Sequence, residues 1–195
     1  MREGAGATTT AIALGANLPG PAGPPRTTLV SVRPWLESLL HRRGWRGLQW
    51  SPLFRTAPVG GPAGQPDYLN AVLLAWQTPQ ADPQELLVEL QSLEDRFGRQ
   101  RQEPWGPRSL DLDLLWCGAA TVRSTALELP HPRLMERAFV LAPLDAIAPA
   151  LVPPGSERPV GVLLEALLCA GGAGPRGGGG AAAVLRLPGE PGWPE

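Results

Sequence analysis

Residues 105–115 have the sequence WGPRSLDLDLL, in which a Gly-Pro turn and an arginine precede alternating leucines and aspartates. The alternation is typical of a β-strand, because successive side chains of a strand point to opposite faces of its sheet. It therefore predicts that Asp111 and Asp113 lie on one face while the leucines pack into a core. Two carboxylates on one strand suit Mg2+, which prefers oxygen ligands, and Arg108 suits phosphate oxygens.

A half-exposed strand with no metal would show the same alternation, with aspartates in water and leucines in the core. This stretch alone leaves both interpretations open. Arg99 and Arg101 lie in the polar loop 98–107 just before it. They are either solvated surface charges, whose ion pairs contribute little, or part of a site for a metal-bound polyphosphate. The paired carboxylates at the exit of the loop favour the second interpretation.

The segments around this strand predict an α+β fold. We expect further strands at 8–14, 48–55 and 68–77, which are rich in β-branched and apolar residues. We expect helices within 27–43 and at 82–98, the second with an Asp-Pro start and a glycine at its end. The order β-α-β-β-α-β is that of a ferredoxin-like core, an antiparallel sheet covered by helices.

Length and composition indicate one globular domain. The chain has 195 residues, of which 43% are hydrophobic and 18% charged, which is enough for one substantial core. We place the domain at residues 8–168, including a short C-terminal helix at 160–168. We expect a disordered leader at 1–7 and a disordered tail at 169–195, where Gly and Pro dominate without periodicity.

Several function classes are disfavoured by composition. The net charge of -1 argues against a nucleic-acid-binding protein. All 17 basic residues are arginines, which excludes a Walker-type P-loop, since that motif needs a lysine. No apolar run is long enough to span a membrane, and no secretory signal is visible. The two cysteines are too few and too far apart to form a metal or disulfide framework, so we expect both to be reduced in the cytoplasm. We also expect a monomer.

A second group of residues predicts a slot for a flat ring. Tyr68 and Asn70 are two apart on one predicted strand and so share a face, and Phe139 could add a second ring. Two rings and an amide suit a heterocycle, held by stacking and hydrogen bonding, although core packing would also explain the aromatics. Trp105 has the same two interpretations. His131, between two prolines, is either structural or a contact of the same site.

Seven segments of the chain form an ordered set over about residues 8–168. They are AIALGANL at 11–18, SPLFRTAPVG at 51–60, QPDYLNA at 65–71, LEDRFGR at 93–99, WGPRSLDLDLL at 105–115, LPHPRL at 129–134 and RAFVLAPL at 137–144. In this order and spacing they resemble the 6-hydroxymethyl-7,8-dihydropterin pyrophosphokinase family of folate biosynthesis. The WGPRxLDxD core is the most specific of them.

The resemblance implies an enzyme, an ATP-dependent diphosphokinase. It would move the β,γ-diphosphoryl unit of ATP onto the hydroxymethyl oxygen of the pterin and release AMP. It implies two Mg2+ ions, held by Asp111 and Asp113, with Arg99 and Arg108 as further catalytic residues. The implied ATP contacts are Gln91, Glu94, Trp105, Arg108, His131 and Arg137. The implied pterin contacts are Thr56, Val59, Tyr68, Asn70, Trp105 and Phe139.

Three positions depart from the family pattern. Ala16, Pro104 and Pro132 stand where members commonly have a small hydroxyl residue, a basic residue and, in some, a tyrosine. We expect these departures to change the rate or the ATP affinity of an active enzyme. Two rival functions remain: a degenerate nucleotide- or pterin-binding protein on the same scaffold, and an unrelated metal-dependent phosphotransferase or nuclease, which the absent basic excess disfavours.

Overall fold

A computed structural model describes residues 9–99, 106–170, 184–189 and 191–194. The first seven elements are β1 (Thr10–Ala16), α1 (Pro25–Arg42), β2 (Arg46–Trp50), β3 (Phe54–Thr56), β4 (Tyr68–Gln77), α2 (Pro83–Arg96) and β5 (Asp111–Cys117). After them come the small hairpin of β6 (Val122–Arg123) and β7 (Glu128–Leu129), a 3-10 helix (Leu134–Glu136), α3 (Ala138–Asp145), α4 (Val160–Cys169) and β8 (Leu185–Arg186).

The main sheet has the strand order β5-β1-β4-β3-β8, and β2 also pairs with β4. All of these pairs are antiparallel. Consequently β1 and β2 run parallel with β4 between them, and β4 and β5 run parallel with β1 between them. These are two interlocked split βαβ units, the arrangement of a ferredoxin-like core. The predicted α+β class is confirmed.

The predicted strand 48–55 is wrong in one respect, because it is two strands. Its halves, β2 and β3, pair with different halves of β4 and are separated by residues 51–53. Pro52 has no N–H to give to the ladder. Ser51 replaces the missing pairing, since its N–H donates to Val72 O at 2.9 Å and its Oγ accepts from Val72 N at 2.9 Å.

Helices cover both faces of the sheet. One core lies under α1 and α2 and contains Ile12, Leu14 and Leu73, and the other lies under α3 and α4 and contains Val72 and Leu74. Because β4 is buried on both faces, its sequence is a nearly continuous apolar run. Within the described parts of the chain, no helix has the length and apolar character needed to span a membrane.

Helix α1 begins earlier than predicted and continues through Pro34. Proline removes one intrahelical hydrogen bond and usually limits a helix. Pro34 lies on the exposed face of α1, so the carbonyl left without an intrahelical partner can bind water. The N-cap prediction for α2 is confirmed, since Asp82 Oδ1 accepts a hydrogen bond from Gln84 N at 2.8 Å.

The prediction of a disordered tail is wrong for residues 184–189 and 191–194. Leu185 and Arg186 form β8, which pairs with β3, and Trp193 is buried among core side chains with 6% of its surface exposed. The Gly- and Pro-rich composition concealed this segment, because two paired residues and one anchoring tryptophan produce no periodicity. The predicted leader 1–7 and the tail residues 171–183, 190 and 195 lie outside the described residues.

Candidate active site

The two aspartates lie at the start of β5, next to the central strand β1. Asp111 is opposite Gly15 and Asp113 is opposite Ala13. Both carboxylates are on the sheet face covered by α3, while Leu112 is buried in the core on the other face. The alternation of the sequence therefore places the two acidic side chains side by side at the edge of the sheet.

Three guanidinium groups surround these carboxylates. Arg108 Nη1 is 2.8 Å from Asp111 Oδ2, Arg99 Nη1 is 2.7 Å from Asp111 Oδ1, and Arg137 Nη1 is 3.1 Å from Asp113 Oδ2. Arg99 lies in the loop after α2, Arg108 in the turn before β5 and Arg137 at the start of α3. Together they give the site the planar donors that bind phosphate oxygens in pairs.

Glu94 joins α2 to the free edge of β5. It is buried, its Oε1 accepts from Leu112 N at 2.7 Å, and it also pairs with Arg99. Burial raises the pKa of Glu94 to about 7, although Arg99 opposes the rise. Glu94 therefore holds in place both Leu112, the residue between the two aspartates, and Arg99. Gln91, one turn earlier on α2, is partly exposed.

The residues predicted to bind a flat ring lie on the same sheet face, on β4 and at the start of α3. Asn70 Nδ2 donates to Thr56 Oγ1 at 2.6 Å, and Tyr68 OH donates to Gly106 O at 3.2 Å. Burial raises the pKa of Tyr68, with Arg108 opposing, so the phenol stays protonated. Phe139, in the first turn of α3, is partly buried in the core on this face, with Arg137 Cζ 5.5 Å from its ring centre.

Gly15 lies on β1 between Asp111 and Asn70. It pairs with Asp111 on one side and with Asn70 on the other. A Cβ atom at Gly15 would lie 3.1 Å from Asn70 Oδ1, 3.8 Å from Tyr68 Cδ1 and 3.9 Å from Asp111 Cβ. Sequence reasoning missed this residue as part of the site. A glycine within a strand pattern often marks a close approach by a ligand or backbone, and that pattern could have identified it.

Asn17 is a second residue that sequence reasoning missed. Its side chain is buried; Oδ1 accepts from Arg108 N at 2.8 Å, and Nδ2 donates to Pro66 O at 3.1 Å. It therefore ties the turn before β5 to the loop before β4. Its position in a turn directly after β1 could have indicated a functional role. Its partners could not be predicted, because they are 49 and 91 residues away.

His131 lies beside the free edge of β5. Its backbone N–H donates to Leu115 O at 2.8 Å, and its Nδ1 accepts from Arg133 N at 3.1 Å. Burial lowers the pKa of His131 to about 4, and the nearby charge of Arg137 contributes to the shift. The imidazole is therefore neutral at pH 7, with Nδ1 as acceptor and Nε2 as donor.

We expect the His131 ring to show no titration between pH 5.5 and 8 in imidazole NMR spectra. Because its folded pKa is below the unfolded value of 6.5, the group contributes stability above pH 6.5 that is lost as the pH falls towards 4. The free energy of unfolding should fall over that range more steeply for the wild type than for His131→Asn, whose amide can still accept from Arg133 N. A His131 midpoint near 6.5 in the folded protein would contradict this assignment.

The donor set around the aspartates fits Mg2+. In the described ranges, no group of three or more His, Cys, Asp or Glu side chains is arranged to hold a metal. Mg2+ does not need one, because it usually binds one or two carboxylates plus phosphates and water. Asp111 Oδ1 is buried and has no hydrogen-bond partner among the described residues, because its contact with Arg99 has only ion-pair geometry. Burial raises the pKa of Asp111, and the nearby charge of Asp113 adds to the rise; a divalent cation would favour the ionised form.

Trp105 and Arg101 lie outside the described residues. Val59 is in the loop between β3 and β4, where its side chain is half-buried. Gln91 and Glu94 lie on α2, which covers the other face of the sheet, and Glu94 reaches the edge of β5. The remaining predicted residues lie on or beside the face covered by α3, around β5, β4 and the end of β3.

Comparison with known proteins gives concordant matches. The sequence model described as 7,8-dihydro-6-hydroxymethylpterin-pyrophosphokinase (HPPK) matches residues 11–149. Proteins named 2-amino-4-hydroxy-6-hydroxymethyldihydropteridine pyrophosphokinase are similar to the chain: 41% identical over 119 residues in Synechocystis, 37% over 146 in Haemophilus influenzae and 40% over 149 in Pseudomonas aeruginosa. These alignments cover 61%, 75% and 76% of this chain, and 59%, 85% and 86% of the respective relatives.

Solved structures show a similar fold. The wild-type HPPK-DHPS chain of Plasmodium falciparum superposes with a TM-score of 0.55 at 12% identity, over 83% of this chain and 41% of that one. The same chain in complex with pteroate gives a TM-score of 0.55 at 11% identity. The chain therefore spans under half of these structures and 59% of the Synechocystis protein.

Proposed function

The chain belongs to the 7,8-dihydro-6-hydroxymethylpterin-pyrophosphokinase family, and on that premise we propose that it transfers a diphosphoryl group from ATP to a pterin. The acceptor is the hydroxymethyl oxygen of 6-hydroxymethyl-7,8-dihydropterin, and the products are AMP and the pterin diphosphate. The oxygen attacks the β-phosphorus, the bond between the α,β-bridging oxygen and that phosphorus breaks, and the hydroxyl proton is lost. The step belongs to folate biosynthesis.

The observation that carries the proposal is the row Asp111, Gly15, Asn70 across three neighbouring strands. Neighbouring strands are about 4.8 Å apart, so the carboxylates and the ring slot are separated by about 10 Å on one face. This is the separation that a bicyclic ring needs if its hydroxymethyl arm is to reach a phosphate held at the carboxylates. Gly15 keeps the intervening floor free of side chains.

The arginines bind and orient the triphosphate in this proposal. Arg99, Arg108 and Arg137 now contact the carboxylates, and their guanidinium groups would turn to the phosphate oxygens as Asp111 and Asp113 take up the metal. Mg2+, when bound, supplies positive charge to the phosphate oxygens. Because charge on the transferred group is spread over its oxygens, catalysis rests on positioning and on fixed positive charge.

The slot orients the acceptor. Tyr68 and Phe139 would contact the two faces of the pterin, and Asn70, held by Thr56, would bind its polar edge. His131, neutral with a donating Nε2, is suited to an oxygen of the nucleotide. Binding of both substrates would exclude water from the floor at Gly15 and so limit ATP hydrolysis.

Further features complete the proposal. We infer two Mg2+ ions per site and a cytoplasmic monomer that does not act on nucleic acid. Its one domain at residues 8–168 is completed by residues 184–189 and 191–194, which pair with β3 and bury Trp193 in the core. The two adjacent carboxylates support the pair of ions, because they can give each ion a protein ligand. Without them, each ion would be held by phosphates and water alone. The near-neutral net charge supports a small-molecule substrate.

The identity of the nucleotide product tests the proposal. With Mg2+, ATP and 6-hydroxymethyl-7,8-dihydropterin, we expect AMP and pterin diphosphate in equal amounts, measured by ion-exchange chromatography. The control reaction without the pterin should form little AMP. Formation of ADP alone, or no turnover by a folded chain, would contradict the proposal.

A further inference from the structure

Residues 184–189 and 191–194, here named the C-terminal strap, lie across the outer side of β3. Arg186 pairs with Phe54 and Leu185 with Arg55, and Leu187 N donates to Leu53 O at 2.9 Å. The strap is therefore the strand next to β3 in the sheet, and β3 is not an edge. It comes from a part of the chain beyond the family match, which ends at residue 149.

Trp193 anchors the far end of the strap. Its indole packs edge-on against Trp50, with ring centres 5.2 Å apart, and its Nε1 donates to Ser51 O at 2.8 Å. Two arginines of α1 add contacts, since Arg26 donates to Pro191 O at 3.1 Å and Arg33 to Gly192 O at 3.4 Å. The strap thus holds the connection between β2 and β3 from outside.

Between these two anchors the strap does not pack closely on the sheet. A cleft of about 450 Å³ separates them and is lined by Pro52, Leu53, Pro188 and Trp193 among others. The strap is therefore a brace attached at two points. The strap contacts the sheet at β3, Trp50 and Ser51, and its effect on the acceptor slot would pass through β3 and Ser51.

Both of those parts lead to the acceptor slot. Strand β3 ends at Thr56, whose Oγ1 receives the hydrogen bond of Asn70 Nδ2. Ser51 is bonded on both its N–H and its Oγ to Val72, two residues after Asn70. β3 has only three residues, so strand pairing on its β4 side alone would leave it prone to fraying.

We propose that the C-terminal strap is a positioning element for the pterin slot: by pairing with β3 and anchoring Trp193 on Ser51, it holds Thr56 against Asn70. It thereby sets the affinity for the pterin. The nucleotide subsite, built on β5, α2 and the start of α3, does not depend on it. This inference rests on the proposed function.

The test compares full-length variants Trp193→Ala and Trp193→Phe with the wild type. A matched control is Leu39→Ala, which removes a buried side chain from the same core on α1, away from β3. Three quantities are measured: the Kd of fluorescent 6-hydroxymethylpterin with Mg2+ and α,β-methylene-ATP, the Kd of that nucleotide analogue, and hydrogen exchange of amides 53–56.

For Trp193→Ala we expect the pterin Kd to rise about tenfold, consistent with loosening one hydrogen-bonded contact in the slot. The nucleotide Kd should stay within about twofold, and amides 53–56 should exchange faster. Trp193→Phe keeps a ring against Trp50 without the bond to Ser51, so its effect should be smaller. In turnover assays KM for the pterin should rise more than kcat falls, and Leu39→Ala should not reproduce this split.

Three results would overturn the inference. One is a pterin Kd unchanged in Trp193→Ala although amides 53–56 exchange faster. Another is an equal rise of pterin and nucleotide Kd, and the third is the same pterin effect in Leu39→Ala, since both would reflect general destabilisation. If the wild-type chain does not bind the pterin, the proposed function itself is contradicted. The wild-type Kd is measured first, so this outcome is distinguished from the other three before any variant is compared.

Discussion

Replacing Asp111 with asparagine is expected to lower kcat at least about a thousandfold, or about 4 kcal/mol of transition-state stabilisation. The amide has nearly the same shape but no charge, so it can neither hold Mg2+ nor offset the two arginines that contact it. Steady-state AMP formation measures the loss. Binding of Mn2+ in the presence of α,β-methylene-ATP, followed by electron paramagnetic resonance, should weaken in parallel.

The control for this variant is Asp95→Asn, which removes the same charge from an exposed position on α2. Its kcat should stay within about twofold of the wild type, as for most surface changes. The rival function, a protein that binds a pterin without turnover, predicts a different outcome. In that case Asp111→Asn would leave the pterin affinity intact and there would be no wild-type AMP formation to lose.

Replacing Gly15 with valine is expected to lower kcat/KM at least about a hundredfold while the chain remains folded. β-Branched residues fit the backbone of a strand, so the change adds volume to the floor without disturbing the strand. The first added carbon already lies 3.1 Å from Asn70 Oδ1 and 3.9 Å from Asp111 Cβ, and two further methyl groups would occupy the space between the slot and the carboxylates.

Gly15→Ala provides the graded comparison. Its single carbon requires Asn70 to move by a few tenths of an ångström, so the pterin KM should rise and the nucleotide affinity should change little. Circular dichroism and thermal unfolding establish that both variants are folded. Equal activity of Gly15→Val and the wild type would mean that the substrates do not meet over β1, and the proposed geometry would be wrong.

Part of this site could be predicted because it depends on local alternation. The pairs Asp111 and Asp113, and Tyr68 and Asn70, each lie two residues apart on one strand, so a period of two places each pair on one face in any sheet that buries the other. Arg108 follows from its position three residues before Asp111. The capping of α2 by Asp82 is local in the same way, and its prediction was confirmed.

Other contributions could not be read from local pattern. The burial of Trp193 depends on partners far along the chain, as does the pairing of Glu94 with Leu112 N across 18 residues. Only the antiparallel register puts Gly15 between Asp111 and Asn70. The C-terminal strap illustrates the same limit. Its composition predicted disorder, but β8 pairs with β3 and Trp193 packs on Trp50.

The sequence by itself determined the family, the order of the core elements and the chemical types in the site, because motif spacing and strand periodicity are properties of neighbouring residues. Only the tertiary structure decided the placement of Asp111 and Asn70 on either side of Gly15, the neutral state of His131 and the attachment of the C-terminal strap. The physical reason is that these depend on register, burial and contacts between segments distant in sequence, which are fixed only when the sheet and its two helical layers have assembled.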